Sequence, residues 1–212
     1  MQNTKKNYYL EFLKDYHFIK GSYKNGELPK LLLHVCCGAC SSFPLPFFVD
    51  LFDITIYFTN SNIYPFEEFN LRLNELKRYV NFVNEKLNAN IKVVTDEYTY
   101  ESFKKDLIPF KDEKEGGRRC KVCIYKRLKR TFDYAFNNGF PFVSSIMTVS
   151  RNKNVDYINE VGELLNKDYP LIKFIHCDLK KNNGQDIGVE ISKLFGIYRQ
   201  DYCGCEFSFL NK

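Results

Sequence analysis

Seven of the eight cysteines in this 212-residue chain fall in three tight groups, Cys36-Cys37-Gly38-Ala39-Cys40, Cys120-Lys121-Val122-Cys123 and Cys203-Gly204-Cys205. If they act together, the fold has to bring three distant segments to one place. Met1-Gln2-Asn3-Thr4-Lys5-Lys6 offers neither a continuous apolar core nor a small-residue cleavage site, so a cytoplasmic, reducing location is expected. There, clustered thiols hold metal or do redox chemistry more often than they form structural bridges. The most apolar stretch, 43–58, is broken by Pro44, Pro46, Asp50 and Asp53, which argues against a membrane span. At 212 residues and 44% hydrophobic, the chain suits a single domain over 1–212. A net charge of +5 permits a polyanionic partner without requiring one.

Short apolar, β-rich runs at 31–35, 54–58, 91–94, 142–146 and 171–175 predict buried strands. Between them lie helical patterns at 4–19, 66–87, 98–107, 119–137, 152–165 and 187–195, with turns at 21–26 and 139–141. Alternation of this kind predicts an α/β fold with a mostly parallel, doubly wound sheet and right-handed crossovers. In such sheets ligands bind beyond the carboxyl ends of the strands, where strand order reverses. The first cysteine group follows the 31–35 strand directly.

A helical turn after Cys36 would bring Cys40 onto the same face, as metal ligation requires. Cys120 and Cys123 open a predicted helix just behind Gly116-Gly117-Arg118-Arg119, where the helix dipole and two guanidinium groups favour thiolates. Gly204 lets the backbone turn two sulfurs, Cys203 and Cys205, toward one point. Seven thiols divide into four ligands for a cubane iron-sulfur cluster and three for a second metal, or for a redox-active dithiol at Cys203 and Cys205. The competing reading is a closed four-cysteine zinc site. The Cys36-Cys37 doublet and three surplus thiols weigh against it. Cys177 and His34, each in or beside an apolar strand, read as a buried inert thiol and a core histidine.

Five segments stand out together: the run from Leu31 through Cys36-Cys37-Gly38-Ala39-Cys40; Tyr57-Phe58-Thr59-Asn60-Ser61-Asn62-Ile63-Tyr64-Pro65; Gly117-Arg118-Arg119-Cys120-Lys121-Val122-Cys123; Lys153-Asn154 with Ile158-Asn159; and Tyr198-Arg199-Gln200-Asp201-Tyr202-Cys203-Gly204-Cys205. In this order they resemble the epoxyqueuosine reductase QueH family. The sequence departs from the family pattern at Ala39, where members usually carry Pro, around Gln185, Ile187 and Gly188, and at Ser150-Arg151-Asn152.

The resemblance implies a nucleotide-hydrolase-like (HUP-type) three-layer fold without a phosphate loop, and reduction of the epoxide of epoxyqueuosine at the tRNA wobble position. It implies a [4Fe-4S] cluster on Cys36, Cys37, Cys120 and Cys123. Cys203 and Cys205 would be a redox-active, disulfide-forming pair or, with Cys40, ligands to a second mononuclear metal, iron or zinc. An external electron donor is required, and ATP is disfavoured because a thiol loop follows the first strand. By position, Asp201, Tyr202 and Asp178 are candidate proton donors. Arg118 and Arg119 lead a run of cations, with Lys121, Lys126, Arg127, Lys129 and Arg130, suited to tRNA phosphates. Asn60, Asn62 and Arg199 are candidate substrate contacts, and Tyr64, Phe66 and Tyr198 candidate stacking surfaces.

Overall fold

A computed structural model describes residues 6–23 and 27–210. Five strands, β1 (Lys30–His34), β2 (Asp53–Phe58), β3 (Lys92–Thr95), β4 (Phe142–Ser145) and β5 (Lys173–Phe174), form one parallel sheet in the order β3-β2-β1-β4-β5. Helices α1 (Tyr8–Ser22), α2 (Gly38–Ser41), α3 (Pro44–Phe48), α4 (Phe66–Leu87), α5 (Tyr100–Lys105), α6 (Arg118–Asn137), α7 (Val155–Asp168), α8 (Gly184–Leu194) and α9 (Glu206–Phe209) surround it.

Alternation along the strands divides the core between two faces. Leu31, Leu33 and Val35 pack with Ile54, Ile56 and Phe58 against Phe48 of α3 and Leu76, Val80 and Val83 of α4. Leu32, Tyr57 and Val143 point the other way, onto Leu128 and Phe132 of α6 and Ile158 and Leu165 of α7. Both faces are covered, which is why the strands read as continuous apolar runs. The expected doubly wound α/β sheet is therefore present. Its order reverses between β1 and β4, so the carboxyl ends of these two strands frame a crevice.

Element ends differ from expectation for local reasons. Of the 171–175 run only Lys173–Phe174 is strand, because a turn at Ile172, bonded to the Tyr169 carbonyl, leads in; Ile175 still donates to Val143 O at 2.8 Å. The 98–107 pattern yields the shorter α5, followed by a 3-10 turn, Ile108–Phe110, with Pro109 in its first positions. α8 begins at Gly184, where an added Cβ would lie 2.4 Å from Leu179 O. Residues 36–48, unassigned from sequence, coil into α2 and α3. Thr4 and Lys5 of the expected first helix, and Lys24, Asn25 and Gly26 of the expected turn, lie outside the described residues. Among those described, no helix is long and apolar enough to cross a membrane.

Candidate metal and substrate site

The first thiol group is placed by the sheet. Val35 continues the strand pairing through its N–H to Tyr57 O at 3.3 Å, so Cys36 emerges at the carboxyl end of β1. Cys37, in extended conformation, caps α2, its sulfur accepting the Cys40 N–H at 3.3 Å. One helical turn returns Cys40, and the Sγ atoms of Cys36, Cys37 and Cys40 all lie within 4.8 Å of one another. The turn fits under α4 because residue 38 is glycine: a Cβ there would stand 3.1 Å from Glu75 O. Gln200 Nε2 donates to Cys37 Sγ at 3.1 Å from the far end of the chain. Hydrogen bonds from Cys37 and Cys40 hold the Cys36 thiol well below its ordinary range, with the Arg127 charge acting in the same sense. Burial pushes Cys37 up to about 12.

The other four thiols come from α6 and the C-terminal segment. Cys120 sits in the first turn of α6 and accepts the Gly116 N–H at 3.2 Å. Cys123, one turn on, is buried, and burial raises its thiol, Cys203's charge adding to the rise. Cys203 is held well below its ordinary value by a hydrogen bond from Cys205, and by the Lys153 ammonium, which contacts its sulfur. Cys205 is pushed up as the donor of that bond.

Cations gather beneath the thiols. Arg72, 1% exposed, pairs with Glu68 at 2.7 Å. Its two terminal nitrogens donate to the carbonyls of Cys203 and Tyr202 at 3.3 Å, and it stacks on the Tyr202 ring at 5.1 Å. Arg127, also buried, donates through Nη2 to Asn60 Oδ1 at 2.6 Å. Cys36, Cys40 and Cys203 line one cavity of about 300 Å³ together with Arg72, Arg127 and Lys153. It opens at the crevice between the ends of β1 and β4.

Several residues singled out from sequence have other employment. Arg119 is buried, and its Nη1 donates to the carbonyls of Phe110, Lys111 and Glu113, so it secures the loop before α6 and does not face the thiols. Arg118 is exposed and pairs with Glu113 at 2.6 Å, outside the cavity lining. At Cys123 the nearby positive charge comes from Arg127 and Lys153. Asn60 is 1% exposed and tied into the scaffold: its Nδ2 donates to Val35 O at 2.8 Å and its Oδ1 accepts from Arg127. Tyr202 also lines the cavity, but its hydroxyl donates to Tyr64 O and burial raises its pKa, which makes it a reluctant proton donor. Tyr198 donates to Glu68 at 3.0 Å.

Asn62, Arg199 and Asp201 do line the cavity; Asn62 is buried, and Arg199 and Asp201 are exposed. His34 shares a 3.0 Å hydrogen bond with Ser145 and is held neutral, its pKa lowered to about 3 by burial. Cys177 is buried beside Thr148, its thiol raised to about 11 by desolvation. Both are the core residues expected. Sequence reasoning missed Glu68 and Arg72. Their signal was an i,i+4 pair in which Arg72 continues the spacing of Phe69, Leu76, Tyr79 and Val83 on the buried face of α4.

The family model described as epoxyqueuosine reductase QueH matches residues 31–211. Similar curated proteins include epoxyqueuosine reductase QueH of Streptococcus pyogenes serotype M1, 37% identical over 185 residues, covering 87% of this chain and 72% of that one. The protein of the same name from Staphylococcus epidermidis is 37% identical over 191 residues, covering 89% and 80%. Among solved structures, the U34-tRNA thiolase NcsA from Methanococcus maripaludis with its [4Fe-4S] cluster superposes with a TM-score of 0.48 at 12% identity, covering 93% of this chain and 68% of that one.

Proposed function

The chain belongs to the epoxyqueuosine reductase QueH family of oxidoreductases, and from that premise we propose that the cavity at the end of β1 is where the epoxide of epoxyqueuosine, carried at the wobble position of a tRNA anticodon, is reduced to the alkene of queuosine. We place this activity in one cytoplasmic domain spanning 1–212. The observation that carries the reading is that Cys36, Cys40 and Cys203, from the first and last of the sequence groups, line one cavity with the buried cations Arg72 and Arg127 and with Lys153, while Cys123 of the middle group is near enough to Cys203 to feel its charge. Removing the epoxide oxygen consumes two electrons and two protons, breaks both C–O bonds and releases water.

The donor set fits an iron-sulfur centre: the soft sulfurs of Cys36, Cys37 and Cys40 lie within 4.8 Å of one another, and Cys203 lines the same cavity as Cys36 and Cys40. We assign the [4Fe-4S] cluster to Cys36, Cys37, Cys120 and Cys123, and Cys40 with Cys203 and Cys205 to a second metal. A cluster held there supplies electrons one at a time from an external donor. The chain's own contribution is electrostatic. Lys153, Arg127 and Arg72 place fixed positive charge at the cavity, where it favours the oxygen as negative charge builds on it. Asp201, exposed on the same wall, relays protons from solvent, while Asn62 and Arg199 contact the substrate. A redox dithiol at Cys203 and Cys205 is the second reading, favoured by the Lys153 ammonium on Cys203, which prepares one thiolate for exchange.

Anaerobic purification tests the proposal. The expected protein is brown, holds about four irons or more per chain, and converts epoxyqueuosine-containing tRNA with a chemical reductant. A colourless protein with one zinc and no conversion would overturn it. Cys40→Ala separates the ligand sets: retention of four irons supports the assignment above, and loss of the whole cluster places Cys40 among its ligands.

A further inference from the structure

Arg127 carries a buried charge that no carboxylate neutralises among the described residues. Arg72 pairs with Glu68 at 2.7 Å and Arg130 with Asp96 at 2.9 Å, while Arg119 spends its guanidinium on backbone carbonyls. Arg127 is 2% exposed, its guanidinium makes one hydrogen bond, to the neutral Asn60 amide, and its Nε is buried without a partner among the described residues. Desolvating a guanidinium in this way is costly unless negative charge lies nearby.

The same bond shows where that negative charge belongs. Asn60 is itself fixed, its Nδ2 on the carbonyl of Val35, the residue before Cys36. The guanidinium is thus suspended beneath the first thiol loop and lines the cavity with Cys36, Cys40 and Cys203. Cys36 and Cys203 come from the first and last sequence groups, so the charge sits where thiols from separate segments converge.

We propose that Arg127 is the internal counter-ion of the thiolate-held metal centre, a positioning residue that stabilises the centre's more reduced, more negative state. The inference rests on the reading that these thiols hold an iron-sulfur cluster. A cluster ligated by four thiolates is anionic and gains a further negative charge with each electron. A fixed cation in a low-dielectric site therefore favours the reduced form and raises the midpoint potential.

The test compares wild type, Arg127→Gln and Arg127→Lys after anaerobic loading with iron and sulfide. Folding is checked by circular dichroism, iron is counted, and the midpoint potential is read by electron paramagnetic resonance during titration with dithionite, the one-electron source. Arg127→Gln is expected to hold iron and to shift the reduction equilibrium toward the oxidised state by about tenfold or more, 59 mV for a one-electron couple. Arg127→Lys, which keeps the charge, restores most of the shift. A loaded, folded Arg127→Gln protein with the wild-type potential overturns the counter-ion role and leaves the cluster reading standing. Failure of the wild type to take up iron overturns the cluster reading and the role with it. If Gln prevents folding, Arg127→Met serves as the neutral variant, and loss of iron in both the neutral and the Lys variants assigns Arg127 a purely structural role.

Discussion

The thiols at the end of β1 and the thiols near the C-terminus reach the same cavity by different physics. Cys36 and Cys37 are carried by the middle strand of a five-stranded parallel sheet, with backbone pairing on both sides and apolar side chains above and below. Cys203 and Cys205 lie outside any strand, in a segment fastened by side chains: Arg72 to two of its carbonyls, Glu68 to Arg72 and Tyr198, and Tyr202 to Tyr64. Tyr64 N–H adds one backbone bond, to Gly204 O at 2.7 Å. The sheet-borne half is positioned by many small contributions, so no single side chain decides its place. The C-terminal half rests on a few bonds, of which those of the buried Arg72–Glu68 pair are the most numerous.

Arg72→Ala is the most damaging single change to the C-terminal half. It leaves Glu68, 8% exposed, without its cation and removes both guanidinium bonds to the Cys203 segment. Loss of one partner of a buried pair costs about 3–5 kcal/mol. Urea denaturation of the metal-free chain should show that loss, and limited proteolysis should cut first within residues 198–205. A loss under about 1 kcal/mol, the range of an exposed pair, would mean that the C-terminal half is held by its neighbours and not by Arg72.

The asymmetry also explains what was legible in the sequence. The strands around β1 announce themselves through unbroken apolar runs, and the placement of Cys36 follows from where such a run ends. Cys40 joining Cys36 and Cys37 followed from helical periodicity. The fastening of the C-terminal segment was not legible, because it depends on contacts between residues 64, 68 and 72 and residues 198–204, and local pattern carries no information across that distance. Arg119 and Arg127 illustrate the same limit. Both lie in one cationic helix, and only the fold turns the first toward loop carbonyls and the second under the thiols.

Gly204→Ala loosens the same segment at lower cost. Gly204 has φ +111°, outside what L side chains adopt readily, and an added Cβ would approach Arg72 Nη1 to 2.8 Å. A flexible arginine would swing aside, but this one is tied to Glu68, so backbone strain and collision act together. Residues forced into such conformations cost about 1–3 kcal/mol. The expected signature is local: in the metal-free chain, alkylation of Cys203 and Cys205 accelerates while that of Cys36 and Cys37 is unchanged. Equal acceleration at both groups would show that the two halves move as one unit.

Tyr202→Phe is the mildest change and discriminates between two roles for one hydroxyl. The Tyr202 ring lies under the Arg72 guanidinium and its hydroxyl donates to Tyr64 O. Phenylalanine keeps the ring and removes one hydrogen bond, a stability loss of about 1 kcal/mol. Burial, with Glu68 adding to it, keeps the hydroxyl protonated, and its proton is already directed at a carbonyl. Turnover of the metal-loaded protein should therefore fall by no more than the fraction of chain unfolded. General acid catalysis is worth about 10²–10⁴ in rate, so a loss of that size in a folded, iron-loaded Tyr202→Phe protein would make Tyr202 the acid and require the Tyr64 bond to open during the reaction. Wild-type turnover with the smaller stability loss would fix Tyr202 as part of the fastening that holds Cys203 and Cys205 in place.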